Sequence, residues 1–171
     1  MGRCNAGKAD IYVNIQGDEP LLIPEDIELI VAEKKKRGKG VVNGMSRLLP
    51  HEDPSNVNIP KVITTENTRM VYMSRVAIPG FKSSHNKPAY YMKQVCIYAF
   101  TYEELEAFGK FGRKSTLENH EDIEILRYLD LSIPVFMVET DSASLAVDIP
   151  EDVPVVEEAL CRKQGNRQTW N

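Results

Sequence analysis

The stretch "DIYVNIQGDEPLL", residues 10–22, decides how this 171-residue chain is read. "DIYVNI" (10–15) is a short run of β-formers. It gives way to Gln16 and Gly17, and then Asp18, Glu19 and Pro20 arrive together. Such a strand end is either an ordinary loop or a holder of something charged. Gly17 lets the backbone turn sharply and lets a ligand approach.

Outward from this stretch, strands alternate with helices. "PEDIELIVAEKKKRG" (24–38) has Pro24 at its start, Glu25 and Asp26 at the positive end and Lys34 to Arg37 at the negative end. Gly38 stops it, and Ile27, Ile30 and Val31 form one apolar face. "GVVNGMSRLL" (40–49) reads as a strand. "PKVITTENTRMVYMSRVAIPG" (60–80) reads as two strands around a polar turn at Glu66 to Arg69. "KQVCIYAF" (93–100) is another strand. "TYEELEAFGKFG" (101–112) opens with Thr101 and Glu104 at capping-box spacing. "STLENHEDIEILRYLDL" (115–131) repeats that signature with Ser115 and Glu118. Strands at 134–140 and 144–150 and a helix at 150–163 close the pattern.

This alternation predicts a three-layer α/β/α fold with a mixed, mainly parallel sheet. The hairpin at 60–80 is expected to protrude from that sheet. Residues 10–160 form one domain, and 161–171 read as a frayed tail.

Hydrophobic content of 42% and charged content of 27% are those of a globular protein. Apolar runs are too short for a membrane span, and "MGRCNAGKAD" has no apolar core of a signal peptide. A net charge of −4 argues against a nucleic-acid partner. The basic run "EKKKRGKG" (33–40) reads as a solvated, dipole-matched helix end. Cys4, Cys96 and Cys161 lie far apart, which points to a reducing compartment, and Cys96 reads as a small buried residue. His51, His85 and His120 lack zinc-ligand spacing.

Ligands of open α/β sheets bind beyond the carboxyl ends of strands. Two strands here end there in acid, at Asp18 with Glu19 and at Asp148 with Glu151 and Asp152. Two such carboxylates suit magnesium, which shares its remaining positions with phosphate and water. Acids after strands are also turn and helix-start residues, and Glu151 and Asp152 read that way.

"VNIQGDEPLL" (13–22), "PKVITTENTRMVYMSRVAIP" (60–79), "KQVCIYAF" (93–100), "TLENHEDIEILRYLD" (116–130) and "LAVDIPEDVPVVEEAL" (145–160) together resemble the CMP-Kdo synthetases, the 3-deoxy-manno-octulosonate cytidylyltransferases. The resemblance runs from Asp10 to about Leu160. It implies a nucleotidyltransferase fold and transfer of CMP from CTP to a 3-deoxy-2-ulosonic acid, with release of pyrophosphate. Residue by residue, it implies Asp18 and Asp148 as catalytic magnesium ligands and Gln16 as a sugar contact. It implies Arg75 on the sugar carboxylate, and Gln94, Tyr98 and Glu124 on the sugar side. It further implies a cytoplasmic homodimer serving lipopolysaccharide or capsule synthesis.

Read without the family, Arg75 is rather a surface residue of the hairpin. Tyr98 is rather a core aromatic with its hydroxyl at the edge. Glu124 is rather a partner for Arg127 on its helix.

The chain departs from the family at Gln94, where histidine is common, and at Ile125, where glutamine is frequent. Both departures predict a variant sugar, such as an 8-amino form of Kdo. The family also begins earlier, with the strand and loop that hold CTP. The chain is therefore expected to be N-terminally truncated, with the "DIYVNI" strand at a sheet edge. The alternative function is a non-catalytic remnant or a dimerisation partner of an intact homologue. A glycosyltransferase holding a metal–nucleotide-sugar on Asp18 and Glu19 is a weaker third reading.

Overall fold

The alternation of strand and helix grammar is realised in the three-dimensional structure. That structure, a computed structural model, describes residues 8–17, 20–141, 147, 150 and 153–167. Asp18, Asp148 and most of the strand expected at 144–150 lie outside the described residues. Six strands are described: β1 (Tyr12–Ile15), β2 (Val41–Arg47), β3 (Lys61–Thr64), β4 (Met70–Ser74), β5 (Met92–Phe100) and β6 (Val135–Glu139). The helices are α1 (Pro24–Arg37), α2 (Tyr102–Lys110), α3 (Thr116–Glu121), α4 (Arg127–Asp130) and α5 (Val153–Arg167).

All six strands form one mixed sheet in the order β4-β3-β5-β2-β6, with β1 also on β5. β2 runs along one edge of β5. The other edge is shared: β3 pairs with its first residues through Lys61–Lys93 and Val62–Met92. β1 pairs with its last residues, from Tyr12–Phe100 to Ile15–Ile97. The expectation of a mainly parallel sheet is corrected at the level of pairing. Among the described strands only β2–β6 is a parallel pair. β1, β2, β3 and β6 do share one direction. However, β5 enters from the opposite end and separates β1 from β2, so their βαβ crossover produces no parallel ladder. The order of strands is a non-local property that alternation alone does not carry.

The three layers are present. On one face, Ile30 of α1 packs on Val42, Val95, Ile97 and Ala99. On the other, Met45, Tyr98 and Phe100 pack against Ile123, Leu126 and Tyr128 of the segment around α4.

The hairpin β3–β4 does not protrude. Its buried residues Val62, Met70 and Met73 belong to that second core. Its turn reaches the far edge of the sheet, where the Met137 N–H donates to the Thr68 carbonyl at 2.8 Å. The alternating apolar residues of the hairpin require a core to cover them, and the curled sheet supplies it.

Helix α1 ends as its sequence predicts, with the N–H of Gly38 on the Lys34 carbonyl at 2.9 Å. The reading of its basic end as solvated is corrected at one position. Lys34 is 1% exposed and its ammonium donates to both Glu104 carboxylate oxygens, at 2.9 and 2.7 Å, and to the Gly40 carbonyl at 2.7 Å. Gly40 has φ +88°, and a Cβ there would lie 2.8 Å from the Phe136 ring. Only glycine brings its carbonyl to Lys34 this way.

Both predicted capping boxes form, at Thr101–Glu104 and Ser115–Glu118. The helix expected over 115–131 is broken, however. Asp122 adopts φ 52° and ends α3, and a 3₁₀ turn at Glu124–Leu126 precedes α4. An aspartate tolerates the left-handed region better than most residues.

The break is held by Arg127, whose fork reaches Glu118 at 2.7 and 2.6 Å. That fork foremost, with the Ser115 N–H, holds the Glu118 carboxyl below its ordinary 4.5 against the effect of burial. Glu121 is pushed up by burial, but donors from Arg75, Ser74 and Tyr72 outweigh this and hold it below 4.5 as well. Depressed folded-state values mean stability that is complete above the unfolded value and lost as pH falls through the folded one. The melting temperature is therefore expected to fall below about pH 4.5. Glu118→Gln should cost about 1.5–3 kcal/mol at pH 7 and flatten that acid limb. A melting series from pH 7 to 3 checks this; an unchanged acid limb in the variant would contradict it.

Candidate active site

The sequence "VVNG" (41–44) builds the floor of the site. Between Asn43 and Gly44 the β2–β5 register shifts, from Asn43–Tyr98 to Gly44–Val95. The shift leaves carbonyls of β5 without ladder partners from β2. Asn43, fully buried, supplies them: its Nδ2 donates to the Val95 and Ile97 carbonyls, both at 2.9 Å. Gly44 permits the close approach, since a Cβ there would lie 3.1 Å from that of Val95. The Asn43 Oδ1 then accepts from Gln94 Nε2 at 3.2 Å, and the same Nε2 donates to the Tyr98 hydroxyl at 3.1 Å. Tyr98 is buried and its ring stacks on Phe100 with centroids 6.1 Å apart.

Above this floor lies a cavity of about 340 Å³. It is bounded by β1 (Asn14), by β5 (Tyr98, Phe100), and by Glu124, Ile125 and Tyr128 of the opposing layer. Aromatic walls with a few polar groups are the usual lining of a small-molecule site. Burial pushes the Tyr128 hydroxyl up, and the charge of Glu104 adds to this, so it stays neutral. Glu124 is exposed and contributes a carboxylate at the rim. Arg127 gives its fork to Glu118 rather than to Glu124.

Arg75 lies outside the cavity lining. Its guanidinium donates to three carbonyls, those of Glu121 (2.5 Å), Val57 (2.8 Å) and Asp122 (3.0 Å). Its backbone N–H and the Ser74 hydroxyl donate to the Glu121 carboxylate, at 2.9 and 2.7 Å. These bonds pin the segment immediately before Ile123 and Glu124. Arg75 is thus neither a plain surface residue nor, in this structure, a group pointing into the cavity.

The structure therefore brings Tyr98 and Glu124 to one cavity, with Gln94 bonded to Tyr98. Gln16 sits further along the same ladder, its N–H on the Cys96 carbonyl at 3.3 Å. Cys96 is half-buried against the core rather than fully buried. Asp18 and Asp148 fall outside the described residues. Among the described residues no group of three His, Cys, Asp or Glu side chains could hold a metal ion.

Sequence reasoning missed Asn43 and Asp26. Asp26 reads as an ordinary first-turn acid, yet it is buried and its Oδ1 accepts from the Asp141 N–H at 3.2 Å. It ties the chain leaving β6, and leading toward Asp148, to the start of α1. No helix among the described residues is long and apolar enough to cross a membrane.

Comparison with known proteins gives a consistent result. The family model described as Cytidylyltransferase matches residues 3–135. A 3-deoxy-manno-octulosonate cytidylyltransferase of Koribacter versatilis is 34% identical over 152 residues, covering 89% of this chain and 57% of that protein. The enzyme of the same name from Lawsonia intracellularis is 32% identical over 167 residues, covering 94% and 62%. A solved structure of CMP:2-keto-3-deoxy-manno-octonic acid synthetase complexed with CTP superposes with TM-score 0.79 at 27% identity. It covers 91% of this chain and 63% of that one. The chain thus spans about three fifths of the length of the relatives it matches.

Proposed function

This chain belongs to the cytidylyltransferase family, and on that premise we propose that it acts in CMP transfer from CTP to a 3-deoxy-2-ulosonic acid. The acceptor is 3-deoxy-manno-octulosonate or a close variant. The anomeric hydroxyl of the sugar attacks the α-phosphorus of CTP in line. The new O–P bond forms as pyrophosphate leaves, and the hydroxyl proton is released. Asp18 and Asp148 offer the hard carboxylate oxygens that magnesium takes, and an ion held there would offset the charge of the triphosphate.

The observation that carries the reading is the meeting of Tyr98 and Glu124 around one cavity beside β1. A rim carboxylate accepts from sugar hydroxyls, and a phenol can both give and accept. Gln16 and Gln94 extend the polar strip along the sheet. Arg75 serves the same site by holding the turn that presents Glu124. Ile125, buried and apolar, presents no hydrogen-bonding group where the family often has glutamine. The ratio of kcat/KM for plain and 8-amino sugar therefore decides which ulosonate is preferred. A cytoplasmic homodimer feeding lipopolysaccharide or capsule synthesis completes the reading.

Glu124→Ala tests it. A hydrogen bond to a charged group contributes about 1.5–3 kcal/mol. Sugar affinity, read by calorimetry, should fall about 10- to 100-fold while CTP affinity stays unchanged. Equal sugar affinity in wild type and variant would contradict the assignment.

A further inference from the structure

Tyr128 stands on the wall of the cavity, and packing fixes its ring before any ligand arrives. The ring stacks on Phe100 with centroids 5.8 Å apart and tilts against Phe108 at 5.4 Å. The residue is 2% exposed. Yet among the described residues no hydrogen bond reaches its hydroxyl. A buried phenol ordinarily has such a partner. Nor is the oxygen sealed in apolar packing. Among the described residues Ser46 Oγ is the only side-chain polar atom that is both sealed and without a partner. The Tyr128 oxygen therefore meets open space, and the space that Tyr128 borders is the cavity.

The surroundings decide what that oxygen can meet. Phe100, Leu105, Phe108 and Ile125 form the apolar part of the lining around Tyr128. Burial first, and then the charge of Glu104, keep the phenol protonated. The Glu104 carboxylate is itself engaged by Lys34 and by the Thr101 N–H. A charged group brought against this wall would lose its water and gain no counter-charge. A neutral hydroxyl loses little there and gains one bond, since a phenol can either give or accept. Glu124, four residues earlier on the same lining, is exposed. The cavity thus carries an acceptor-only charge at its rim and a neutral phenol within.

We propose that Tyr128 is a specificity-determining residue of the site: its hydroxyl bonds an uncharged hydroxyl of the acceptor sugar, not its carboxylate, at the apolar end of the cavity. This inference rests on the reading of the cavity as the sugar subsite.

Tyr128→Phe removes the oxygen and keeps the ring packing. Affinity for 3-deoxy-manno-octulosonate, by calorimetry on the full chain, should fall about 3- to 10-fold, the worth of one neutral hydrogen bond. CTP affinity should be unchanged. The melting temperature should equal or exceed that of wild type, because no protein group loses a bond. Equal sugar affinity, a parallel loss of CTP affinity or a lower melting temperature would overturn the proposal. Singly deoxygenated sugars then identify the contact, as a cycle between protein and ligand. One of them should bind wild type and Tyr128→Phe equally. A series in which every member favours wild type by the same factor would overturn the proposal.

A carbon-13 label at Cζ of tyrosine reads the hydroxyl directly. The Tyr128 resonance should move on saturation with the sugar, and an unmoved resonance beside calorimetric binding would overturn the assignment. Absence of sugar binding in wild type would instead contradict the functional reading. The same resonance, titrated with the neutral polyol xylitol, then still decides Tyr128: a shift supports a hydroxyl open to the cavity, and no shift overturns it.

Discussion

Glu104→Ala is expected to destabilise the fold by about 3–5 kcal/mol, because it strands a buried ammonium. The Lys34 and Glu104 side chains are 1% and 9% exposed. Each carboxylate oxygen of Glu104 accepts a hydrogen bond from Lys34, and Oε2 also accepts from the Thr101 N–H at 2.8 Å. Removing it breaks the capping box of α2 and leaves Lys34 with only the Gly40 carbonyl among these partners. The pair joins α1, on one face of the sheet, to the start of α2 as the chain leaves β5. Replacing both residues together, as Lys34→Met with Glu104→Leu, should recover much of the loss, since no unpaired charge remains. Urea denaturation of the single and double variants measures this. A loss under about 1 kcal/mol in Glu104→Ala, the range of an exposed pair, would show that the ion pair is not buried as described.

Asp18→Asn is expected to lower CMP transfer by about 10³-fold or more. The amide keeps the shape of the carboxylate and removes its charge. In the proposed reaction that charge belongs to the site that offsets the triphosphate, an effect of several kcal/mol. A factor of ten in rate corresponds to about 1.4 kcal/mol. The melting temperature should be unchanged, and sugar affinity should stay close to wild type, because the proposed sugar contacts lie elsewhere, on Tyr98, Gln94 and Glu124. Steady-state pyrophosphate release, paired with calorimetry on the same variant, tests this. A rate within tenfold of wild type would remove Asp18 from the chemistry.

What was legible in the sequence was local. Pro24 and Gly38 bracket α1, and the Thr101–Glu104 and Ser115–Glu118 boxes mark helix starts, because each signal acts within one turn of its own residues. The hairpin was legible from its polar turn. Its place in the sheet was not, because β3 joins β5 only through Lys61 and Val62 and the turn meets β6 by a fold-wide curl. Lys34 looked solvated, since three basic residues follow it directly and its acid partner lies far along the chain.

The site divides in the same way. Tyr98 and Glu124 were reached through family resemblance, and neither would have been chosen on spacing alone. Arg75 was expected at the sugar carboxylate; the structure places three of its donors on backbone carbonyls, a role set by backbone geometry rather than by residue type. Asn43 was invisible because a lone polar residue within a strand pattern carries no sign of a bulge two strands wide.

The most direct measurement of the central claim is a phosphorus NMR spectrum of the full chain with CTP, 3-deoxy-manno-octulosonate and magnesium. The account predicts a new phosphodiester resonance from the CMP-sugar rising with that of pyrophosphate, and neither signal without the sugar. CTP that stays intact beside a chain verified as folded would contradict it.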